Sequence, residues 1–499
     1  MRARQARLCG LFALIASLTL LACNFVERQF ETRPPTPTHP STATSTPFPT
    51  HRPPATSRPS STITLTPTPS PSEAPASSRV RPCAYVPGIS TPAVMPPEVL
   101  AAYTATPYPL PTLPPNATID AATTAKQLQI YQKLWDTVNT EYVYADFNGH
   151  DWKAIGAKYE ALIKKGLADE TFYAAMDTMI AELGDNHSRY DSPEEVRLAD
   201  EAFQGHSDYT GVGVRWEAIP ESGRGSIVYA YPGSPAAEAG LLAHDNILAA
   251  NGESLFDSSG HFKDIIRGPE GTTVTLTIQR PGETPFDVTL TRRRITSPQP
   301  IDYCLVAGTR LAYIFLPSLD DTTLPGQVRD ALEALTADAP LEGLILDNRQ
   351  NGGGAETVLE EMLGFFISGT EGHFVSHQDQ RALTITAEEI GNSQTMPMVV
   401  LVGPNTASFG EVMSGVLQDS ERARVVGQRT MGNVEILWGY NFQDGSRAWI
   451  AHETFQPLNL PSGFWEGHGI EPNTAAPTRW DLFTNATDPA LAIAVQLLK

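Results

Sequence analysis

Residues suited to redox or metal chemistry are scarce in this chain of 499 residues: it holds 4 cysteines and 11 histidines, and no Cys/His group has metal-ligand spacing. His187, His206, His244 and His261 are scattered, which argues against a zinc site and leaves no metal or cofactor expected. Positive charge is equally thin. With 35 Lys and Arg against 56 Asp and Glu, the formal charge is −21. That argues against a nucleic-acid partner, because phosphate binding needs clustered cations to displace counterions. The one basic cluster, Arg292-Arg293-Arg294, follows a β-rich run and reads as the decoration of a strand end. The triple glycine Gly352-Gly353-Gly354 is not followed by Gly-Lys-Ser/Thr, so a nucleotide-binding P-loop is excluded as well.

What is present begins with a leader. Arg2, Arg4 and Arg7 precede an apolar run from Leu8 to Leu21, too short for a membrane span of roughly 20 residues. Leu20-Leu21-Ala22-Cys23 resembles the site at which bacterial lipoproteins are cleaved and lipidated, so residues 1–23 are expected to be a lipoprotein signal peptide with Cys23 as the mature, lipid-bearing first residue. An exported protein anchored to the outer face of the cell membrane follows from this expectation. Residues 24–119 are dense in Pro, Thr and Ser and cannot offset their conformational entropy by burial, which predicts a disordered stalk. Cys83 and Cys304 remain for a compartment that permits a disulfide between them.

Folding is expected from Asp120. Leu128, Tyr131, Leu134, Trp135 and Val138, then Phe172, Met176, Met179, Ile180 and Leu183, recur at helical spacing, so residues 120–205 form a helical segment. Residues 206–294 change to short β-branched runs at Val212–Trp216, Ser226–Tyr229, Asn246–Ala250 and Val274–Gln279. With Pro232-Gly233-Ser234-Pro235 and Asn251-Gly252 between them, this region resembles a PDZ domain. The resemblance implies that Gly211, Val212, Gly213 and Val214 form the loop and strand that take a peptide C-terminus, although a packing or lid role fits the sequence equally. Residues 295–499 alternate strands (Leu311–Leu316, Gly343–Asp347, Pro397–Val402) with helices (Gln327–Leu335, Ala355–Phe366), an α/β core whose active site belongs at the carboxyl ends of its parallel strands.

Two loops stand at such ends. Asp347-Asn348-Arg349-Gln350-Asn351 leads into the three glycines, and Thr406-Ala407-Ser408-Phe409-Gly410 passes from strand to helix. A serine at that turn faces the free N–H groups of the helix start, which suits a nucleophile, although serine is also a common helix cap. Together with Leu417-Gln418-Asp419, Val425–Gly432, Gly467-His468-Gly469-Ile470-Glu471-Pro472 and Leu183–Ser188, these loops resemble the C-terminal processing peptidases of family S41 over residues 120–499. The resemblance implies an α/β serine-peptidase core of the ClpP/crotonase-like kind with an inserted PDZ domain, acting on protein or peptide substrates. It makes Ser408 the nucleophile, with an oxyanion hole from Phe409 and Gly353 or Gly354.

The general-base lysine of many members is missing, because the motif reads Gly432-Asn433-Val434-Glu435 here. A branch resembling the tricorn core and the retinoid-binding-protein repeats instead implies a histidine base and a glutamate partner, here His187 and Glu466. Ser188 or Asn433 would add a hydrogen bond, and His468 is the alternative base. Without any working base the chain would be a peptide-binding pseudo-peptidase. Asp185 and Asp347 read as turn and strand-end residues.

Overall fold

The structure is a computed structural model that describes residues 80–83, 120–185, 187–201, 209–257, 262–295, 301–461 and 464–499. The leader, Cys23 and nearly all of the stalk lie outside these residues, and so do His206 and His261. No helix among the described residues is long and apolar enough to cross a membrane.

Helix α1 (Ala121–Glu141) starts at Asp120, whose carboxylate accepts the Thr123 N–H at 2.8 Å, a sequence-local cap. Helices α2 (Trp152–Ile163) and α3 (Asp169–Ala181) follow, then strand β1 (Arg189–Asp191) and helix α4 (Pro193–Glu201). The apolar faces of α1 to α3 bury Leu134, Val138, Tyr159, Phe172 and Met176 in one cluster that also holds Leu437 and Ile450 from near the other end of the chain.

The PDZ-like region contains β2 (Tyr209–Gly211), β3 (Val214–Ile219), β4 (Arg224–Ala230), helix α5 (Pro235–Glu238), β5 (Asn246–Ala250), β6 (Glu253–Ser254), β7 (Thr273–Gln279), β8 (Phe286–Thr291) and β9 (Arg293–Ile295). Its sheet runs β3-β4-β5-β7-β8, while β2 pairs with β9. The single strand expected at Val212–Trp216 is therefore broken. Gly213, at φ +78°, turns the chain there, and a Cβ on it would stand 2.2 Å from that of Ser234. Ser234 caps α5 as its Ser-Pro sequence suggests, accepting the Ala237 N–H.

The remaining elements are β10 (Asp302–Leu305), β11 (Leu311–Phe315), α6 (Leu324–Thr336), β12 (Gly343–Asp347), α7 (Glu356–Gly364), β13 (Gly369–Val375), β14 (Gln380–Ile385), β15 (Met398–Val402), α8 (Phe409–Asp419), β16 (Arg424–Gly427), β17 (Ile436–Asn441), β18 (Arg447–Pro457), β19 (Thr474–Ala475) and α9 (Pro489–Leu497). One sheet has the order β10-β11-β12-β15-β16-β19 and is parallel from β11 onward. Every residue of β12 and β15 is buried, as continuous apolar runs require when both sheet faces are covered. Helices α6 to α8 pack with the core on one side, and α9 with Trp480 in the cluster on the other. A second, antiparallel sheet joins β1-β18-β13-β14, with β17 also on β18.

Through β1 the helical segment is thus stitched into the same body as the peptidase core, Tyr190 lying opposite Ala448. Cys83 and Cys304 are joined as a disulfide, and the Cys83 N–H donates to Leu305 at 2.8 Å, which lays the stalk's edge along β10. Arg292 is more than a strand-end ornament: it is buried and donates to the carbonyls of Ile265, Ile266 and Thr273.

Candidate active site

Strands β12 and β15 are parallel neighbours, so their carboxyl ends deliver the glycine loop and the Ser408 turn side by side. Side chains and backbone then stitch the two loops together. The Thr406 hydroxyl donates to the Asn348 carbonyl at 2.9 Å, the Asn348 amide donates to the Gly410 carbonyl at 2.8 Å, and the Ala407 N–H donates to Asn351 at 3.1 Å.

Ser408 sits at φ 53°, ψ −130° before the first residue of α8. A non-glycine residue pays for that conformation, commonly about 1–3 kcal/mol, and it persists only where the surroundings hold it. Here the holding bond is the Ser408 N–H donating to the Asn433 carbonyl at 2.9 Å. The side chain does not cap the helix, and its Oγ has no hydrogen-bond partner among the described residues. That removes the structural explanation for a serine at this position.

Gly353 fits against it. A Cβ on Gly353, whose φ is +104°, would lie 2.6 Å from the Ser408 Cβ and 3.1 Å from the Phe409 nitrogen, so only glycine allows this approach. The Phe409 N–H has no partner among the described residues, which leaves it available to an oxyanion. The Gly353 N–H is already donated to the Asn351 side chain at 3.0 Å, so it must be released before it can serve. Gly354 is pressed against Leu319, where a Cβ would collide with backbone at 1.9 Å.

Glu411, one turn into α8, was not foreseen from sequence. It is fully buried and accepts hydrogen bonds from the Thr430 hydroxyl and from the N–H groups of Gly432 and Asn433, the last two at 2.7 and 2.8 Å. Burial pushes its pKa up to about 7 against these donors. The Thr430–Asn433 turn is therefore clamped to the nucleophile's helix. Asn433 occupies the missing lysine's place, and its backbone holds both Ser408 and Glu411; its side-chain Oδ1 is buried with no partner among the described residues.

Two residues on, Glu435 reaches the expected base. His187 Nδ1 stands 3.7 Å from Glu435 Oε2, and both side chains are almost wholly buried, at 3% and 2% exposure. Such a separation is an ion-pair distance, longer than a hydrogen bond. Tyr144 donates to the other Glu435 oxygen at 3.1 Å. Glu466 interacts electrostatically with Glu435 and His187, while its Oε2 accepts the Val434 N–H at 2.7 Å. Burial first, then the neighbouring Glu435 charge, hold the Glu466 carboxyl well above the ordinary carboxylate range.

His187 itself is placed by Asp185, which accepts the N–H groups of His187 and Ser188 and the hydroxyl of Tyr142. The Ser188 hydroxyl accepts the Ala451 N–H at 2.9 Å and so fixes the loop to β18. His468 lies elsewhere, exposed, with Nδ1 on the Glu466 carbonyl and its ring stacked near Phe464. Glu435 had a readable signal: it is a lone carboxylate next to the apolar run Ile436-Leu437-Trp438, a placement seldom free of purpose.

Gly211 to Val214, the residues expected to take a peptide C-terminus, are buried, with the Val212 and Gly213 carbonyls turned to the start of α5. Strand β3 is a sheet edge. Its Arg215 donates to the carbonyls of Pro317 and Gln350, and its Glu217 accepts from the Gln350 amide, so the region touches the glycine loop directly. Behind it, the buried His244 stacks on Trp480 at 4.0 Å and bridges the Trp480 carbonyl and Asn485.

Comparison with known proteins agrees with this arrangement. A model of peptidase family S41 matches residues 310–476, a PDZ domain model residues 226–280, and a tricorn protease C1 domain model residues 123–181. The carboxyl-terminal-processing protease of Synechocystis sp. is 32% identical over 333 residues, covering 64% of this chain and 74% of that one. A probable CtpA-like serine protease of Staphylococcus aureus is 28% identical over 354 residues, covering 70% and 68%. Among solved structures, the photosystem II D1 C-terminal processing protease superposes with a TM-score of 0.51 at 25% identity, over 71% of this chain and 93% of that one. With the strand-end loops, the PDZ region and the helical segment each in their family order, the chain belongs to peptidase family S41 and is a serine-type peptidase of the C-terminal processing kind with a PDZ domain.

Proposed function

We propose that this chain is a lipid-anchored, extracytoplasmic endopeptidase that cleaves peptide bonds through an acyl-enzyme on Ser408, with His187 as base. The observation that carries the reading is Ser408 itself, strained, uncapped and set against Gly353. In the reaction, His187 takes the Ser408 proton as Oγ bonds to the scissile carbonyl carbon. The resulting oxyanion is met by the Phe409 N–H, the peptide C–N bond breaks with the proton passing from His187 to the leaving amine, and water then hydrolyses the ester. Glu435, at ion-pair distance from His187 Nδ1, and Glu466 near it stabilise the imidazolium.

The PDZ domain is proposed to capture a substrate C-terminus or to gate the cleft. Its contacts with Gln350 support either role, because they couple the domain to the loop beside the nucleophile. Lipidation at Cys23 and an outer-face location rest on the leader sequence. A radiolabelled or clickable palmitate incorporated by wild type and lost in Cys23→Ala is the expected result.

A second reading, a peptide-binding lipoprotein without hydrolysis, is favoured by one observation. The Ser408 Oγ makes no hydrogen bond among the described residues, so the contact with the base has to close by movement. A fluorophosphonate probe decides between the two. Labelling of wild type that disappears in Ser408→Ala supports the enzyme, and folded wild type that never labels establishes the binder.

A further inference from the structure

At the root of the glycine loop lies a buried ion cluster that the proposed reaction does not use. Arg349, two residues past the end of β12, sets its guanidinium against the rings of Trp480 and Phe483, 5.0 and 5.6 Å from their centres. Its Nε and Nη2 donate to the two oxygens of Asp347 at 2.9 and 2.6 Å, and Nη2 also donates to Asp488 at 2.6 Å. Tyr313 of β11 donates to Asp347, and Asp488 caps α9 by accepting the Ala490 and Leu491 N–H groups. None of the three charged side chains is more than 1% exposed. Trp480 is held in turn by the PDZ-like region: its indole N–H donates to the Ile227 carbonyl, and His244 stacks on it. Stability does not account for such a cluster. Taking charges out of water offsets most of their attraction, and apolar groups of similar volume often fold as well or better. What a forked, doubly bonded arginine adds is fixed geometry.

We propose that Arg349 is the positioning residue of the active-site loops: by tying the start of the glycine loop to β12, to α9 and to the Trp480–Phe483 pair, it sets how Gly353 meets Ser408. This rests on the peptidase reading above and deepens it. The three glycines carry no side chain with which to anchor themselves, so the loop has to be fixed from its flanks. On the far flank the Leu319 N–H donates to the Gly353 carbonyl at 2.8 Å. On the near flank Arg349 stands only three residues short of Gly353. The bonds that join the two loops leave from Asn348 and Asn351, on either side of it, to Thr406, Ala407 and Gly410 around the nucleophile. Gly403, where the Ser408 loop leaves β15, would bring a Cβ within 3.8 Å of the Arg349 Cβ. A shift of Arg349 therefore moves Gly353 directly and the Ser408 turn through the asparagines. The guanidinium touches no reacting atom and acts only through these loops.

The test uses the full-length chain and saturation kinetics of fluorophosphonate labelling, which separate the limiting rate constant, kinact, from the half-saturating concentration, KI. Removing the arginine alone would leave two buried carboxylates without their cation, so the whole cluster is neutralised at once with Asp347→Asn, Arg349→Met and Asp488→Asn. Asparagine keeps an acceptor for Tyr313 and a cap for α9. This triple variant should melt no earlier than wild type. Its kinact should fall by about 10², the cost of a misplacement of about 1 Å, with KI within about threefold of wild type. Arg349→Lys keeps the charge and loses the fork and the flat face, so its kinact should fall by about tenfold, less than in the triple variant. Wild-type kinact in either variant, with or without a lower Tm, marks a purely structural cluster and overturns the proposal alone. Should the triple variant not fold, Arg349→Lys decides by the same criterion. A folded wild type that never labels overturns the peptidase reading and this proposal with it.

Discussion

The turn that carries Ser408 is held by backbone: a strained φ/ψ, an N–H on the Asn433 carbonyl and a helix start with a free Phe409 N–H. The loop that carries His187 is held by ionisable side chains: Asp185 beneath its backbone, Glu435 beside its ring, and Glu466 and Tyr144 behind Glu435. The nucleophile is therefore preset by its backbone, while its activator depends on the ionisation of the groups around it. Glu411 is the one residue that bridges the two styles, a buried carboxylate whose partners are mainly backbone.

Substitutions test this contrast unequally. Removing the nucleophile, Ser408→Ala, should abolish fluorophosphonate labelling and lower peptide hydrolysis by about 10⁴ or more, as in other serine peptidases. His187→Ala should cost about 10²–10⁴ in the labelling rate, with His468→Ala unchanged. Equal losses from the two histidines would erase the distinction between the buried and exposed sites.

Glu411→Gln probes the bridge. Its amide nitrogen cannot accept the backbone N–H that a carboxyl oxygen accepts, so chemical denaturation should show a loss of about 1–3 kcal/mol at pH 5. The raised pKa fixes the sign of a pH effect. Between about 4.5 and about 7 the folded chain keeps a proton that the unfolded chain has released, so wild-type stability should decline as pH rises through this window. The decline is on the order of 3 kcal/mol, and the glutamine variant should flatten it. A wild-type stability that climbs over the same window would place Glu411 in its ionised form throughout.

The smallest effect concerns strain. Ser408→Gly should be inactive, yet melt no earlier than wild type, because glycine relieves the φ of 53° while adding chain entropy of about 0.5–1 kcal/mol. A fall of several degrees in Tm would mean that the turn is not strained.

The same contrast explains what the sequence could convey. Asn246–Ala250 and Gly343–Asp347 were legible to the residue, since each is a short apolar run bounded by polar or turn residues. Ser408 and Gly353 were legible because their loops are contiguous and lie at strand ends. The antiparallel sheet was not: the pairing of Tyr190 with Ala448 joins segments far apart in the chain, and local periodicity carries no trace of it. Nor was the pairing of Glu435 with His187, which exists only once β18 brings the His187 loop beside the residues leading into β17. Val212–Trp216 looked like one strand because alternation of side chains does not reveal the positive φ at Gly213.

The Cys83–Cys304 bond, with a sequence separation of 221, encloses the helical segment and the whole PDZ region in one covalent ring. Tension arriving from the N-terminal side passes at Cys83 straight into β10 at the edge of the main sheet, so neither α1 nor the PDZ sheet carries it. A single backbone scission anywhere between the two cysteines leaves the fragments joined. Release of an N-terminal piece cut within that ring thus requires two chemical events, one hydrolytic and one reductive.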